Sequence, residues 1–250
     1  MAGHSKWKQI KRQKAVVDAR RGAVFTKLGR EITVAARTAG PDPDSNARLR
    51  LAILKARESN MPVDVIDRAL SKATGEADAS QLDEIVYEGY APGGAAVLVE
   101  ALTDNRNRTV AEVRSAFGHG GGNLGEAGSV AWVFSTRGVI TLTLGPGADA
   151  DEIALVAIDA GAEDFVVEGD TLSVYTKPEE LEAVRRALIE QGHEPSSAEI
   201  AKVPANTVPL DEKDAIQTLR LLDRLEDLDD VQRVYSNADF PDAVLAAFAG

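Results

Sequence analysis

GVITLTLGPGADADEIALVAIDAGAEDFVVEGDTLSVYTKPEELEAVRRALIEQGHEPSSAEIAKV, residues 138–203, decides the architecture. Short β-branched and apolar runs predict strands at Val139–Leu144, Phe165–Glu168, Leu172–Tyr175 and Glu199–Val203. Gly169-Asp170 separates the middle two as a turn. Between the strands, Asp149–Ala160 opens with acids that suit a helix N-terminus, and Pro178–Glu190 runs as a helix to Gly192. The order β-α-β-β-α-β is the ferredoxin-like arrangement.

On either side of this unit the chain carries incomplete pieces. Before it, Ile85–Tyr90 and Ala95–Thr103 flank Pro92-Gly93-Gly94 as a hairpin, followed by a helix at Arg108–Phe117. After it come a strand at Thr207–Leu210, a helix at Glu212–Leu228 and a strand at Val231–Ser236. Neither piece has enough strands to bury a sheet face alone. Together they complete a second α/β sandwich, so the ferredoxin-like unit, residues 129–204, is expected as an insertion into a middle domain of residues 80–128 and 205–240.

Residues 1–75 read as helices and form a third domain. Phe25, Leu28, Ile32 and Ala35 recur at three- and four-residue steps, and Lys27, Arg30 and Arg37 fall within about 80° of one another on the same helix. Gly40-Pro41-Asp42-Pro43 ends it, and Asp44 or Ser45 can cap the next helix. A last helix begins near Pro62 and stops at Gly75, which suits a left-handed cap. The fold class is therefore α+β multidomain: an N-terminal helical domain plus two α/β sandwich domains, the third inserted into the second.

Charge divides the chain between these parts. Residues 1–75 hold 16 Lys+Arg against 7 Asp+Glu, a net of +9, which leaves 12 against 33 for residues 76–250, a net of −21 within the formal −12 of the whole. Lys6, Lys8, Lys11, Arg12, Lys14, Arg20 and Arg21 oppose only Asp18. Charge runs are commonly solvated faces. This one is single-signed, lies beside further basic helices, and fronts an acidic body, as a docking surface for a polyanion requires. Trp7 either stacks on a base or anchors the segment. No tight-turned reading helix is visible, which favours contact with the backbone over base reading.

Elsewhere the chemistry is sparse. His119-Gly120-Gly121-Gly122-Asn123 opens a glycine-rich stretch reaching Gly128, whose amides could cradle phosphate. It lacks the Gly-Lys-Ser/Thr of a P-loop and follows a helix rather than a strand, so a flexible crossing is the favoured account. Arg106 and Arg108 sit at a helix start where an anion could bind, although a capping turn explains the neighbouring Asn and Asp equally well. The chain has no cysteine, and His4, His119 and His193 stand far apart, so no metal, cofactor or catalytic triad is expected. The run Glu226-Asp227-Asp229-Asp230 reads as a solvated acidic face. No apolar run approaches the ~20 residues of a membrane helix, and a cytoplasmic protein without a membrane partner is expected.

Three stretches are familiar. MAGHSKWKQIKRQKAVVDARRGAVFTKLGREITVAAR (residues 1–37), YEGYAPGGAAVLVEALTDNRNRT (87–109) and GGNLGEAGSVAWVF (121–134) closely resemble the YebC/PmpR family, with Ala91 where glycine is usual and Ala95 where valine is common. The resemblance implies three domains, the third inserted in the second, and a DNA-binding transcriptional regulator in the cytoplasm. A mitochondrial relative acts on translation, and bacterial members are linked to ribosomes and proline-rich stalls. The resemblance thus leaves DNA or ribosomal RNA as partner. It places the binding residues among Lys6, Lys8, Lys11, Arg12, Lys14, Arg20, Arg21, Lys27 and Arg30. A phosphate-handling enzyme is the remote alternative, and the oligomeric state is left open.

Overall fold

A computed structural model describes residues 18–75 and 82–249. Trp132–Asn206 form one compact unit, and the described residues before and after it in the chain form the other.

The first helices are α1 (Asp18–Ala39), α2 (Ala47–Glu58) and α3 (Val63–Thr74). α1 packs against both of the others. Its apolar stripe, Leu28, Ile32, Ala35 and Ala36, meets Leu49, Ala52, Ile53 and Ala56 of α2 and Ile66 and Ala69 of α3 in one core closed by Met61. α2 is capped by Asn46 rather than by Asp44 or Ser45. The Asn46 side chain accepts from Leu49 N at 3.0 Å and donates to the carbonyls of Ala35 and Gly40 at 2.8 Å. Asp44 and Ser45 are engaged one turn earlier, bonded to Asp42. One buried amide thus ties the end of α1 to the start of α2. Gly75 leaves α3 extended (φ −79°) instead of left-handed. The left-handed positions are Gly40 (φ 93°), after α1, and Asn60 (φ 57°), after α2.

β1 (Asp83–Tyr90) and β2 (Ala96–Thr103) form the expected hairpin, with Gly93 and Gly94 at positive φ. α4 (Arg106–His119) follows, then the short β3 (Asn123–Leu124), which pairs with the end of β1.

The ferredoxin-like unit contains β4 (Phe134–Thr143), α5 (Ala150–Asp159), β5 (Asp164–Glu168), β6 (Thr171–Thr176), α6 (Leu181–Glu190) and β7 (Ser197–Pro204). Its antiparallel sheet runs β5-β6-β4-β7. Ile140, Leu142, Leu172 and Val174 of the sheet, Ile153 and Ala157 of α5, and Val184 and Leu188 of α6 are buried.

The chain then supplies β8 (Val208–Pro209), α7 (Glu212–Glu226), β9 (Val231–Ser236), β10 (Ala238–Asp239) and α8 (Asp242–Ala249). β9 adds antiparallel to β2, giving the sheet order β3-β1-β2-β9. Phe117 of α4 and Leu219 and Leu222 of α7 share its core with Val97, Val99 and Val234. β8 joins no strand of this sheet. It pairs in parallel with β10, and α8, which the sequence pattern did not single out, buries Val244 and Leu245 in the same core. Among the described residues no helix is long and apolar enough to cross a membrane.

Candidate nucleic-acid interface

The residues expected to meet nucleic acid fall into three groups. Lys6, Trp7, Lys8, Lys11, Arg12 and Lys14 lie outside the described residues. Arg20 and Arg21 fall in the first turn of α1, with side chains outside the described part. Lys27, Arg30 and Arg37 are described, and each is engaged within the protein.

Lys27 Nζ donates to the carbonyl of Glu226, and Arg30 Nη1 to the carbonyl of Asp229 at 2.7 Å. These carbonyls lie at and just beyond the C-terminus of α7, where the helix dipole favours cations. Arg30 also pairs with Asp230 at 2.9 Å. Arg37 reaches the carbonyl of Lys72 at 3.3 Å and remains exposed. Lys27 and Arg30 therefore face the sheet's second helix, the opposite side from the one an outward basic face requires.

Asp230 is the centre of this contact. It is 1% exposed and receives Arg108 Nη2 at 2.6 Å, Thr109 Oγ1 at 2.7 Å, Thr103 Oγ1 at 3.0 Å and Arg30 Nη1. Burial alone would raise its pKa. The hydrogen bonds from Arg108, Thr109 and Thr103 and the charge of Arg30 outweigh burial and hold it below the ordinary carboxylate value. Asp230 is thus not part of a solvated run. The same geometry answers the question posed by Arg106 and Arg108. Asn105 caps α4, accepting from Arg108 N at 3.1 Å, while Arg106 pairs with Asp83 at 2.7 Å and Arg108 with Asp104 at 2.8 Å. The anion at this helix start belongs to the chain itself.

The glycine-rich stretch is neither a slack crossing nor an open cradle. The N–H groups of Gly120, Gly121 and Gly122 donate to the carbonyls of Ala116, Gly118 and Phe117 and close the end of α4. A Cβ on Gly120 would stand 2.8 Å from Leu221 Cβ, and one on Gly122 would stand 2.5 Å from the Tyr90 carbonyl, so close packing requires glycine at both. His119 Nδ1 lies 2.8 Å from the Ser115 carbonyl, and Asn123 pairs with Tyr90. Farther on, Glu88, 6% exposed, accepts the backbone N–H groups of Gly128, Val130 and Ala131, each at 2.7 Å. Tyr90 adds a bond to the Ser129 carbonyl at 2.9 Å. Glu88 is likewise held below its ordinary pKa, since the three backbone bonds outweigh the cost of its burial. Glu88 thus holds Gly128, Val130 and Ala131 against β1, and the compact unit that contains β1 runs through Ala131.

Glu88 and Asp230 are the structural carboxylates that sequence reasoning missed. Both are satisfied by partners 40 or more residues away, so neither had a local signal. Among the described residues no three His, Asp or Glu side chains converge as a metal site.

A family model described as the TACO1/YebC protein N-terminal domain matches residues 5–76, and one described as the TACO1/YebC second and third domain matches residues 82–238. A probable transcriptional regulatory protein of Dehalococcoides mccartyi is 52% identical over 248 residues, covering 99% of this chain and 98% of the relative. One from Herpetosiphon aurantiacus is 51% identical over 249 residues, covering 100% and 99%. The crystal structure of a conserved hypothetical protein from Aquifex aeolicus matches with a TM-score of 0.82 at 46% identity, over 91% of this chain and 94% of that one.

Proposed function

The chain belongs to the TACO1/YebC family, and from that premise we propose that it is a non-enzymatic, cytoplasmic regulator of gene expression that grips the backbone of DNA through its basic N-terminal segment. The observation that carries this reading is the division of charge, +9 over residues 1–75 against −21 over the rest. With Lys27 and Arg30 turned toward α7, the binding work falls to Lys6, Lys8, Lys11, Arg12 and Lys14, five cations in 17 residues without an acid, together with Arg20 and Arg21. Trp7 supplies a ring for stacking or anchoring. The relatives' name, transcriptional regulatory protein, supports DNA as the target.

A second reading, a translation factor on ribosomal RNA, is favoured by one observation. The connection from α1 to α2 runs from Gly40 to Asn46 through two prolines, too long for the 3–4-residue turn that presents a base-reading helix. A surface that holds backbone alone suits either nucleic acid. Crosslinking in cells, purification and sequencing of what is attached decides between them. Promoter DNA is expected, ribosomal RNA supports the second reading, and recovery of neither overturns both. In vitro, changing Lys8, Lys11, Arg12 and Lys14 to Ala is expected to flatten the dependence of log affinity on log salt by about 0.9 for each lost phosphate contact with duplex DNA. An unchanged slope removes the segment from the interface.

A further inference from the structure

The body of the protein is acidic, yet one line on it is not. Lys213, Gln217, Arg220 and Arg224 of α7 are all exposed and fall within about 60° of one another at 100° per residue. They lie across α7 from its buried residues Ala215, Thr218, Leu219, Leu222 and Leu225, with buried Leu221 on the flank about 40° beyond Gln217. None of the three cations makes an ion pair among the described residues. Most other cations of the body are engaged: Arg106, Arg108, Arg137 and Arg185 bridge carboxylates, and Lys202 donates to Thr136. The acids of α7 stand aside. Glu212, Asp214 and Asp223 lie about 90–110° and Glu226 about 150° round the helix from the ridge, and the one acid near its line is exposed Asp227, just past the end of α7. The helix dipole accounts for Arg224 near the C-terminus but opposes Lys213 in the first turn.

Position completes the case. The ridge rises toward the end of α7 where Lys27 and Arg30 of α1 are bound. From that end it runs back along α7 for about 16 Å, roughly five base-pair steps of duplex. We propose that this ridge is a second contact for the DNA held by the N-terminal segment: Arg220 and Arg224 take phosphates through their guanidinium forks, and Lys213 takes one as a point charge. The inference rests on the nucleic-acid reading above. It changes the expected footprint, because the acidic body then offers the backbone a cationic path instead of repelling it everywhere.

The test uses the full chain with Lys213, Arg220 and Arg224 changed together to Gln. Binding to a 30-base-pair DNA duplex is followed by fluorescence anisotropy across a salt series, with an RNA hairpin of equal length as the second arm. The salt slope is expected to flatten by about 2–3, with affinity roughly tenfold weaker at low salt. Arg224→Gln alone, which cannot disturb the core, is expected to flatten it by about 1. Loss confined to the RNA arm keeps the ridge and changes its partner. Unchanged slopes in both arms overturn the ridge. A parallel variant with Lys8, Lys11, Arg12 and Lys14 changed to Ala separates the two claims. If it loses binding while the ridge variants do not, the N-terminal reading stands and the ridge falls. If the unmodified protein ignores both nucleic acids, both fall.

Discussion

Asp230 and Glu88 are buried carboxylates of one unit, at two strands of its sheet that β2 separates, and they are satisfied in opposite ways. Asp230, just before β9, collects side chains from three elements: Arg30 of α1, Thr103 of β2, and Arg108 and Thr109 of α4. Glu88, within β1, collects, among the described residues, only backbone N–H groups, from Gly128, Val130 and Ala131. The first ties element to element, so its loss should be felt throughout the unit. The second shapes one loop, so its loss should be local. Burying an ion is costly in both places, and only complete hydrogen bonding makes it tolerable.

Asp230→Ala tests the first half and should have the largest effect. It strands Thr103 and Thr109 in the core and removes the anion from two arginines, at a cost of about 3 kcal/mol. A fall in Tm of roughly 10 °C is expected by calorimetry. A change below about 1 kcal/mol would show that the four donors find partners without it.

Glu88→Gln sharpens the contrast. The amide keeps one acceptor oxygen but presents an NH2 group where a second oxygen stood, so a cost of about 2 kcal/mol is expected. Hydrogen exchange should rise mainly at residues 128–131. A rise spread over β2 and β9 would erase the distinction between the two sites. Acid should mimic both variants. Each carboxylate is held below its ordinary value, so in the unfolded chain it binds a proton at a higher pH than in the fold. Their contribution is complete above the unfolded values near 4 and is lost as pH falls through the lower folded ones. Stability measured by urea melts should decline below about pH 4, and less steeply in Glu88→Gln than in the parent.

Much of the fold was legible because it rests on local periodicity. The β-α-β-β-α-β order, the glycine-turned hairpin and the stripe of Leu28, Ile32 and Ala35 are set by neighbours a few residues apart. The single-signed N-terminal charge was legible for the same reason. Pairing was not. Lys27 and Arg30 read as an outward basic face because their partners lie 199 and 200 residues away. Glu88 sits on the face of β1 opposite Phe117, as strand alternation requires, and only the fold of residues 123–131 over it makes it buried. The Gly120–Gly122 turn looked slack because a glycine run carries no sign of what packs against it; here Leu221 and Tyr90 do. α8 was passed over because Asp242–Ala249 is short and nearly all apolar, leaving no amphipathic pattern to read.

Arg30→Gln is the smallest perturbation and the most discriminating. Among the described residues its guanidinium is the one donor to Asp230 from the helical segment, and it is about one-fifth exposed, so solvent screens part of the pair. Asp230 keeps Thr103, Arg108 and Thr109 when Arg30 is gone. The loss should therefore be about 1 kcal/mol, well short of that for Asp230→Ala. It should also be non-additive with Asp230→Ala, because the carboxylate that Arg30 serves is already absent in the double variant. If Arg30→Gln instead costs as much as Asp230→Ala, the carboxylate is not held by the sheet and α4 independently. Its burial would then be a consequence of the α1 contact, and the helical segment and the sheet would form one cooperative body fastened at a single charge.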